Sequence, residues 1–367
     1  MLSLSPHHRY LIALAMVGML AALLFGCTPN DPHSTFDARG PVAQSQLNLF
    51  WIILAAGAVV FVLVEGAIIY SIIKFRRRRD DEIPEQVEGN STVEFAWTAG
   101  PTALLVLVAI PTIITTFDNQ VSPDQNALTV DVVGHQWWFE FRYRHPDDPE
   151  KEIRFANDLH IPVDEVVNVN LGSEDVIHSF WIPKIAGKVD MIPGGGNTMW
   201  IQADQTGFYY GQCLEFCGVQ HANMRFRVIV HSREDFDAWL RSEAEPAIDS
   251  PDPLVQEGKR VFLTAGCTAC HQTQSVVNVG QVSLQGPNLT HVASRTNIAG
   301  GVFDNRGEDG EVNDAIFQRN IRTWLEDPEK AKTGNVMARE APSYMNPEDA
   351  LSEAELSALV AYLSSLK

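Results

Sequence analysis

Two long apolar runs lie in the first third of this chain. The first, from Leu47 to Ile73, is well over the ~20 residues that a helix needs to cross a bilayer, and the second, from Thr98 to Phe117, is long enough to cross it once. A basic run, Lys74 to Arg79, follows the first run directly, and the positive-inside bias places it in the cytoplasm. The sequence therefore predicts a transmembrane hairpin over residues 46–118, with both of its ends on the outer side of the membrane.

The N-terminus has the features of an exported protein. A weakly basic start and an apolar run from Leu11 to Phe25 predict a signal peptide over residues 1–26. The ending Leu-Phe-Gly-Cys27 resembles the lipobox of bacterial lipoproteins, which implies cleavage before Cys27 and a lipid on its sulfur. An uncleaved third span is the alternative. Residues 27–45 are predicted to be a periplasmic tether, and the expected location is the bacterial inner membrane, crossed twice.

After the second span the residue pattern changes twice. Short alternating runs such as Leu128–Val133, separated by Pro, Gly, Asp and Asn, predict an all-β sandwich or barrel over residues 119–245. From Leu254 onward the apolar period is helical, so residues 246–367 are predicted to be all-α. The expected fold class is a multidomain membrane protein with a two-helix hairpin, an all-β domain and an all-α domain.

The charge of the chain excludes one class of partner. Its formal net charge is −19 at pH 7, and its one basic run adjoins a membrane span. Nucleic-acid binding needs a clustered Lys/Arg surface to neutralise phosphates, so no nucleic-acid partner is expected. An acidic soluble portion does fit a basic redox partner.

The most informative segment lies between two predicted strands, from Gly211 to Met224. It holds two thiols, an imidazole and a thioether, and a second histidine, His178, ends an upstream strand. Thiolate and thioether are soft ligands that select copper, whereas a structural zinc site uses four Cys or His ligands and no Met. Two close cysteine pairs in an exported protein are also compatible with local disulfides.

The spacing Cys-x-Glu-x-Cys-x3-His-x2-Met, together with the upstream histidine, resembles the dinuclear CuA site of cytochrome c oxidase subunit II, which is built on a cupredoxin barrel. The resemblance implies that two sulfurs bridge two coppers, that each histidine binds one, and that a thioether and the Glu215 carbonyl are weak axial ligands. It also implies a Mg or Mn ion shared with subunit I through the Glu215 carboxylate. The matching positions are His178, Cys213, Glu215, Cys217, His221 and Met224.

Two further positions take roles from the same resemblance. The run Gly-His-Gln-Trp137-Trp138 resembles the family's aromatic patch, which makes Trp137 the candidate residue through which electrons reach the copper site. A Trp packed in the barrel is the alternative. Glu94, just before the second span, aligns with the family's carboxylate at the mouth of a proton channel, and a solvated Glu beside the membrane is the alternative. Glu65, inside the first span, is given no role.

A second motif, Cys267-Thr-Ala-Cys270-His271, lies in the all-α region. In this haem-attachment motif the two thiols form thioethers to the haem vinyls, and the spacing places His271 against the iron. A predicted helix before it and Gly-Pro287-Asn-Leu after it make the region resemble a class I cytochrome c. That resemblance implies covalent haem c and a hydrogen bond from His271 to the Pro287 carbonyl. A zinc ribbon is a poor alternative, because the sequence nearby holds no second Cys pair or free His pair.

The sixth iron ligand is expected to be a methionine, which raises the haem potential. The run Gly-Asn-Val-Met337 resembles the family's Gly-Asn-x-Met and favours Met337, but no Pro follows it, which leaves Met345 open. Trp324 and Arg295 are candidates for contacts to the haem propionates. The insertion at residues 300–313 is predicted to be a surface loop.

As a whole the chain is most similar to cytochrome c oxidase subunit II with a fused cytochrome c domain. This implies the electron-input subunit of a respiratory oxidase, which passes electrons from cytochrome c or a cytochrome bc complex through haem c and CuA to subunit I. Oxygen reduction and proton translocation would take place there, so no catalytic residue is expected in this chain, and subunit III is a further expected partner. The rivals are a copper chaperone or thiol-disulfide protein, a quinol oxidase subunit II and a free-standing electron-transfer protein.

Overall fold

The computed structural model describes residues 10–11, 14–15, 18–19, 31–76, 86–282 and 284–367. Cys27 and most of the predicted signal peptide lie outside these residues, as do Arg77 to Arg79 of the basic run.

Two helices, α1 (Pro41–Lys74) and α2 (Ser91–Gln120), are each long and apolar enough to cross a membrane, and they pack against each other. Helix α1 begins at Pro41, earlier than the predicted start of the hairpin, because proline in the first turn has no N–H to leave unpaired. Its 34 residues extend for about 51 Å, well beyond a hydrocarbon layer of about 30 Å. Helix α2 begins where the Asn90 side chain accepts hydrogen bonds from two backbone amides of its first turn.

The outer end of α1 is embedded in the β domain. Val42 and Ala43 are buried in the β-domain core region, and the Ala43 amide donates to the Ile185 carbonyl at 3.2 Å. A Cβ on Gly40 would lie 3.1 Å from the Ile185 carbonyl oxygen and closer still to that of Gln202, so only glycine allows this approach. These contacts fix the β domain relative to the hairpin.

The all-β domain consists of two packed sheets, as its alternating sequence predicts. The first sheet has the strand order β11-β3-β2-β1-β5-β8, in which β11 (Val276–Asn278) comes from the helical region. The second sheet has the order β4-β10-β9-β6-β7, and the pairs β1/β5 and β4/β10 are parallel. Aromatic side chains such as Phe139, Phe180 and Phe226 fill the space between them. The strands of the first sheet that belong to this domain are β1 (Leu128–His135), β2 (Trp138–Arg144), β3 (Lys151–Ala156), β5 (Val167–Ser173) and β8 (Asn197–Ile201). Those of the second are β4 (Asp158–Pro162), β6 (His178–Trp181), β7 (Lys188–Met191), β9 (Gly207–Gln212) and β10 (Arg225–His231).

A helix, α3 (Arg233–Ala244), closes the β domain, and the rest of the chain is mainly helical, as predicted. The first and last helices of this region form its most extensive contact, and a capping box between Ser352 and Glu355 opens the last one. The helices are α4 (Pro253–Thr264), α5 (Asp314–Glu326), α6 (Pro328–Ala331), α7 (Val336–Glu340), α8 (Pro342–Met345) and α9 (Glu353–Ser365).

The helical domain is joined to the β domain by more than a linker. Its short strand β11 (Val276–Asn278) pairs antiparallel with β3 and so extends the first sheet. A second connection is buried: the Asp158 carboxylate of β4 accepts hydrogen bonds from the backbone and hydroxyl of Thr296, both at 2.7 Å, and from the Asn297 amide at 2.6 Å. The two domains therefore share backbone and side-chain hydrogen bonds.

The prediction that residues 300–313 form a surface loop is partly wrong. Its first residues face the β domain, because the Arg225 amide donates to the Gly300 carbonyl at 3.0 Å, and Asn305 is fully buried. Gly300 and Gly301 have φ values of +68° and +84°, which turn the chain inward where a side chain would clash with Trp137 or Arg225. Sequence composition could not show this, since glycine serves exposed turns and close contacts alike.

Candidate metal centre and the adjoining cavity

The segment joining β9 to β10 brings four of the predicted ligand side chains together. The sulfurs of Cys213 and Cys217 lie 3.7 Å apart and are buried. Nδ1 of His221 is 3.6 Å from the Cys217 sulfur, and the sulfur of Met224 is 3.8 Å from it. A short 3₁₀ turn over His221–Asn223 sets this spacing before β10 begins. All four side chains thus meet around Cys217.

The remaining two ligand positions complete the same cluster. His178, the first residue of β6, is fully buried, and its Nδ1 lies 4.0 Å from the Cys213 sulfur. The Glu215 carbonyl oxygen lies 3.2 Å from that sulfur. The donor atoms of His178, Cys213 and Cys217 are all within 4.8 Å of one another. Six positions, one on β6 and five on the loop between β9 and β10, therefore share one centre.

The geometry of the sulfurs fits metal binding better than a disulfide. A separation of 3.7 Å is far above a disulfide bond of about 2.05 Å, and both thiols are free. It is shorter than two metal–thiolate bonds of about 2.3 Å each, so a metal ion can contact both sulfurs. With two thiolates, a thioether and two imidazoles, the donor set is soft and fits copper.

Hydrogen bonding between the two thiols favours ionisation of one of them. The Cys213–Cys217 contact, followed by that with His178, lowers the pKa of Cys213 to about 4, although burial opposes this, and the same contact raises the pKa of Cys217. A cation that binds both sulfurs must displace the second proton. The contact between the two sulfurs therefore favours a negative charge on Cys213, which would attract a cation.

A carboxylate that the sequence analysis did not select orients one of the imidazoles. Asp175 lies 2.8 Å from Nε2 of His178, which leaves Nδ1 directed at the sulfurs. Burial opposes ionisation of Asp175, but hydrogen bonds with His178 and with the amides of Val176 and Gln136 keep its pKa below the usual range. Its place three residues before His178 was the available signal, because ligating histidines commonly donate their other nitrogen to a carboxylate.

Trp137 lies between this centre and a large cavity in the helical domain. Its indole N–H donates to the Cys217 carbonyl at 2.9 Å, and its side chain also lines the cavity. Only 6% of Trp137 is exposed, because the helical domain covers it. Trp137 is therefore in contact with the metal-binding loop on one side and with the cavity on the other.

The cavity holds the second predicted motif. Its empty volume, including the mouth, is ≈ 1530 Å³, and Cys267, Cys270 and His271 all line it. Nδ1 of His271 lies 2.8 Å from the Pro287 carbonyl oxygen, as expected from the sequence. Since a carbonyl only accepts, Nδ1 carries the proton and Nε2 keeps its lone pair for a metal.

The two candidate methionines differ in position. Met337 lines the cavity, whereas Met345 is 59% exposed. Trp324 and Arg295 also line it, and Nε of Arg295 is buried without a hydrogen-bond partner among the described residues. A large, mainly apolar cavity lined by an imidazole, a thioether, two thiols and a buried arginine fits a covalently attached haem.

The side chains of two predicted site residues, Glu94 and Glu215, belong to neither the sulfur cluster nor the cavity. Glu94 is exposed in the first turn of α2, where its carboxylate accepts the Asn90 amide at 3.2 Å and thereby caps the helix. The Glu215 side chain is partly exposed on the metal loop, and the described residues place no three-ligand group around its carboxylate.

The fold and these sites define a two-span membrane protein with a cupredoxin-like metal-binding domain and a helical domain built around a large cavity. Family profiles match in the same order: the transmembrane domain of cytochrome C oxidase subunit II at residues 33–114, its periplasmic domain at 147–232, and cytochrome c at 255–367. The chain belongs to the cytochrome c oxidase subunit II family and carries a C-terminal cytochrome c domain.

Similar proteins extend over almost the whole chain. Cytochrome c oxidase subunit 2 of Alkalihalophilus pseudofirmus is 34% identical over 357 residues, covering 96% of both chains. That of Bacillus sp. (strain PS3) is 35% identical over 372 residues, again with 96% of both covered. The crystal structure of the periplasmic domain of subunit II from Bradyrhizobium japonicum, 32% identical, covers 34% of this chain and 96% of that one with a TM-score of 0.31.

Proposed function

We propose that this chain is the electron-input subunit of a respiratory cytochrome c oxidase in a bacterial inner membrane. Electrons from cytochrome c or a cytochrome bc complex pass through this chain to subunit I, where oxygen is reduced to water and protons are translocated. The observation that carries the proposal is the position of Trp137, which donates a hydrogen bond to the Cys217 carbonyl and lines the cavity that holds His271.

Two redox groups are assigned to the two sites. A dinuclear copper centre and a covalent haem c supply the one-electron chemistry when bound. The copper ligands are His178, Cys213, Cys217, His221, Met224 and the carbonyl of Glu215. Cys267 and Cys270 would attach the haem covalently, and His271 and Met337 would coordinate its iron.

The residues around the copper ligands keep them rigid and dry. Asp175 fixes the ring of His178, and the Trp137 and Gln136 side chains hold the carbonyl of Cys217 at 2.9 and 2.7 Å. Both sulfurs are buried, so water does not compete for the metals. A ligand frame that barely moves between redox states favours fast electron transfer, because little of the surroundings has to reorganise.

The residues around the haem act in a comparable way. The Pro287 carbonyl fixes the tautomer and orientation of His271, which makes the ring a stronger ligand. Arg295 is buried beside the cavity, and its guanidinium would pair with a haem propionate. Met337 as a ligand would raise the reduction potential of the haem, which favours electron transfer to it from an external donor.

The other assignments concern the membrane and the partner subunits. Both metal domains lie on the periplasmic side, after a cleaved signal peptide and with a lipid on Cys27. Glu94 lies at the mouth of a proton channel, and the Glu215 carboxylate binds Mg or Mn together with subunit I. Subunit III is a further partner. The domain limits are 46–118 for the hairpin, 119–245 for the copper domain and 246–367 for the cytochrome domain.

Purification of the complex from native membranes, followed by metal and haem analysis, tests the proposal. We expect two coppers and one covalent haem per copy of this chain, together with a haem-copper subunit I. Cys213→Ser should remove the copper spectrum, whereas Glu215→Gln should retain it and lose only bound Mg or Mn, since copper uses the carbonyl. A chain that binds one Cu(I) without a mixed-valence spectrum, or that purifies without subunit I, would contradict the proposal.

A further inference from the structure

A buried lysine links the cytochrome domain to the segment between β9 and β10, residues 213–224, which is called the copper loop below. Lys332, which follows α6, is 4% exposed. Its ammonium donates to three backbone carbonyls: those of Trp137 at 2.7 Å, Ala299 at 2.8 Å and Asn223 at 2.9 Å. An ammonium has three donors, so each of its N–H groups has an acceptor and none is left unpaired.

The three acceptors belong to three functional segments. Trp137 contacts both proposed redox sites, Asn223 directly precedes the copper ligand Met224, and Ala299 belongs to the cytochrome domain. Lys332 itself lies five residues before Met337 in the sequence, on the same stretch that lines the cavity. Its ammonium therefore connects the part of the haem cavity near Met337 with the end of the copper loop near Met224.

The contacts around Lys332 are too close to tolerate much displacement. The Arg225 amide donates to the Gly300 carbonyl at 3.0 Å, beside the ammonium. A Cβ on Gly300 would lie 2.6 Å from the Trp137 carbonyl oxygen, and one on Gly334 would lie 3.1 Å from Val219. Burial lowers the pKa of Lys332 to about 7, but three carbonyl dipoles at hydrogen-bond distance favour the charged form.

We propose that Lys332 is a positioning residue that holds the cytochrome domain against Trp137 and the copper loop and thereby sets the rate of electron transfer from haem c to copper. The inference rests on the function proposed above. The step itself is a one-electron transfer: the haem iron is oxidised from Fe(II) to Fe(III), the copper pair is reduced by one electron, and no bond is made or broken.

The test replaces Lys332 with methionine in the intact oxidase complex. Met has a similar length but donates no hydrogen bond, so three buried carbonyls lose their partner. We expect unchanged copper and haem c spectra, because no ligand is altered. Deuterium exchange at the Arg225 amide should rise about tenfold or more, and electron transfer from haem c to copper should slow by about the same factor. Lys330→Met, an exposed lysine on α6, is the matched control and should change neither quantity.

A second variant covers the case in which Lys332→Met fails to assemble. Gly300→Ala keeps the ammonium but forces a methyl group toward the Trp137 carbonyl, so it should raise exchange at Arg225 and slow the transfer as well. Wild-type exchange and transfer rates in Lys332→Met, or in Gly300→Ala where the first variant is not obtained, would overturn the role of Lys332. That result would leave the proposed function intact, since the function fails only if the wild-type complex lacks the copper pair or the haem.

Discussion

The proposed copper loop and the proposed haem cavity are built in different ways. In the copper loop the sulfurs of Cys213 and Cys217 are 3.7 Å apart, and the other ligand atoms lie within hydrogen-bond range of them. The haem site is an open volume of ≈ 1530 Å³ lined by short helices, with one imidazole fixed by Pro287. The β sandwich thus brings its candidate ligands into contact by itself, whereas the proposed haem would fill a volume that the helical domain leaves open.

This difference has an energetic consequence. The β-domain core is filled mainly by aromatic side chains between the two sheets, such as Phe139 and Phe226, and the proposed copper ligands Cys213, Cys217 and Met224 are packed at its edge. The helical core includes residues that also face the cavity, among them Phe262, Ile321 and Leu359. Loss of haem therefore exposes core side chains, and unfilled apolar volume destabilises a protein. Loss of copper should open no comparable volume, because the Cys213, Cys217 and Met224 side chains are already in contact with one another.

The largest expected effect is from removal of the haem attachment. In the double variant Cys267→Ala/Cys270→Ala, haem c should be absent, and the amides of α4 and α9 should lose their protection against deuterium exchange because their shared core is open. The strands β9 and β10 should keep theirs. Full protection of α4 and α9 without haem would show that the helical core does not need its cofactor.

Removal of a copper ligand should have a large effect on activity and little on the fold. Cys217→Ser should lose both coppers and reduce oxidase turnover to background, since a serine hydroxyl does not replace a bridging thiolate. Amide protection of the β sandwich should stay within the wild-type range, and haem c should still be present. Global unfolding of the β domain in this variant would show that its fold also depends on the metal, and the contrast with the haem cavity would no longer hold.

A comparison of the two methionines sharpens the description of the haem cavity. Met337→Ala should lower the haem c reduction potential by about 100 mV or more. This lies within the ~0.8 V range over which the ligands of the iron set the haem potential. Met345→Ala should leave it unchanged, because this side chain is exposed. Redox titration followed in the haem c absorption bands measures both variants. The reverse pattern would assign the sixth ligand to Met345.

The smallest effect concerns the orientation of one copper ligand. Asp175→Asn keeps the size of the side chain but removes the charge that holds His178. Copper affinity should fall about 10–100-fold, as expected when a carboxylate partner of a ligating histidine is lost. Competition with a chelator of known affinity gives the number. Equal affinity would show that the strand alone orients His178.

The sequence predicted the parts of the molecule that local spacing encodes. The two apolar runs, the alternating strands and the capping box at Ser352 all appear where short-range patterns placed them, and the copper ligands cluster because most of them lie on one loop. Met337 was favoured over Met345 by its motif, and only Met337 lines the cavity.

The contacts that the sequence did not predict join residues far apart in the chain. Lys332 and Trp137 are 195 positions apart, and Asp158 and Thr296 are 138 apart. A buried lysine or aspartate has no local signature, since the same residue types usually lie in solvent. The pairing of β11 with β3 was missed for the same reason, because three residues are too few for a strand pattern.

In the proposed route, electrons reach copper through haem c and past Trp137. Rapid mixing of the oxidised complex with a reduced one-electron donor, followed at the haem c and copper absorption bands, tests it most directly. We expect haem c to be reduced first and copper to be reduced at the rate at which haem c is reoxidised. Trp137→Phe should slow only the second phase. Reduction of copper before haem c, or equal rates in Trp137→Phe and wild type, would contradict it.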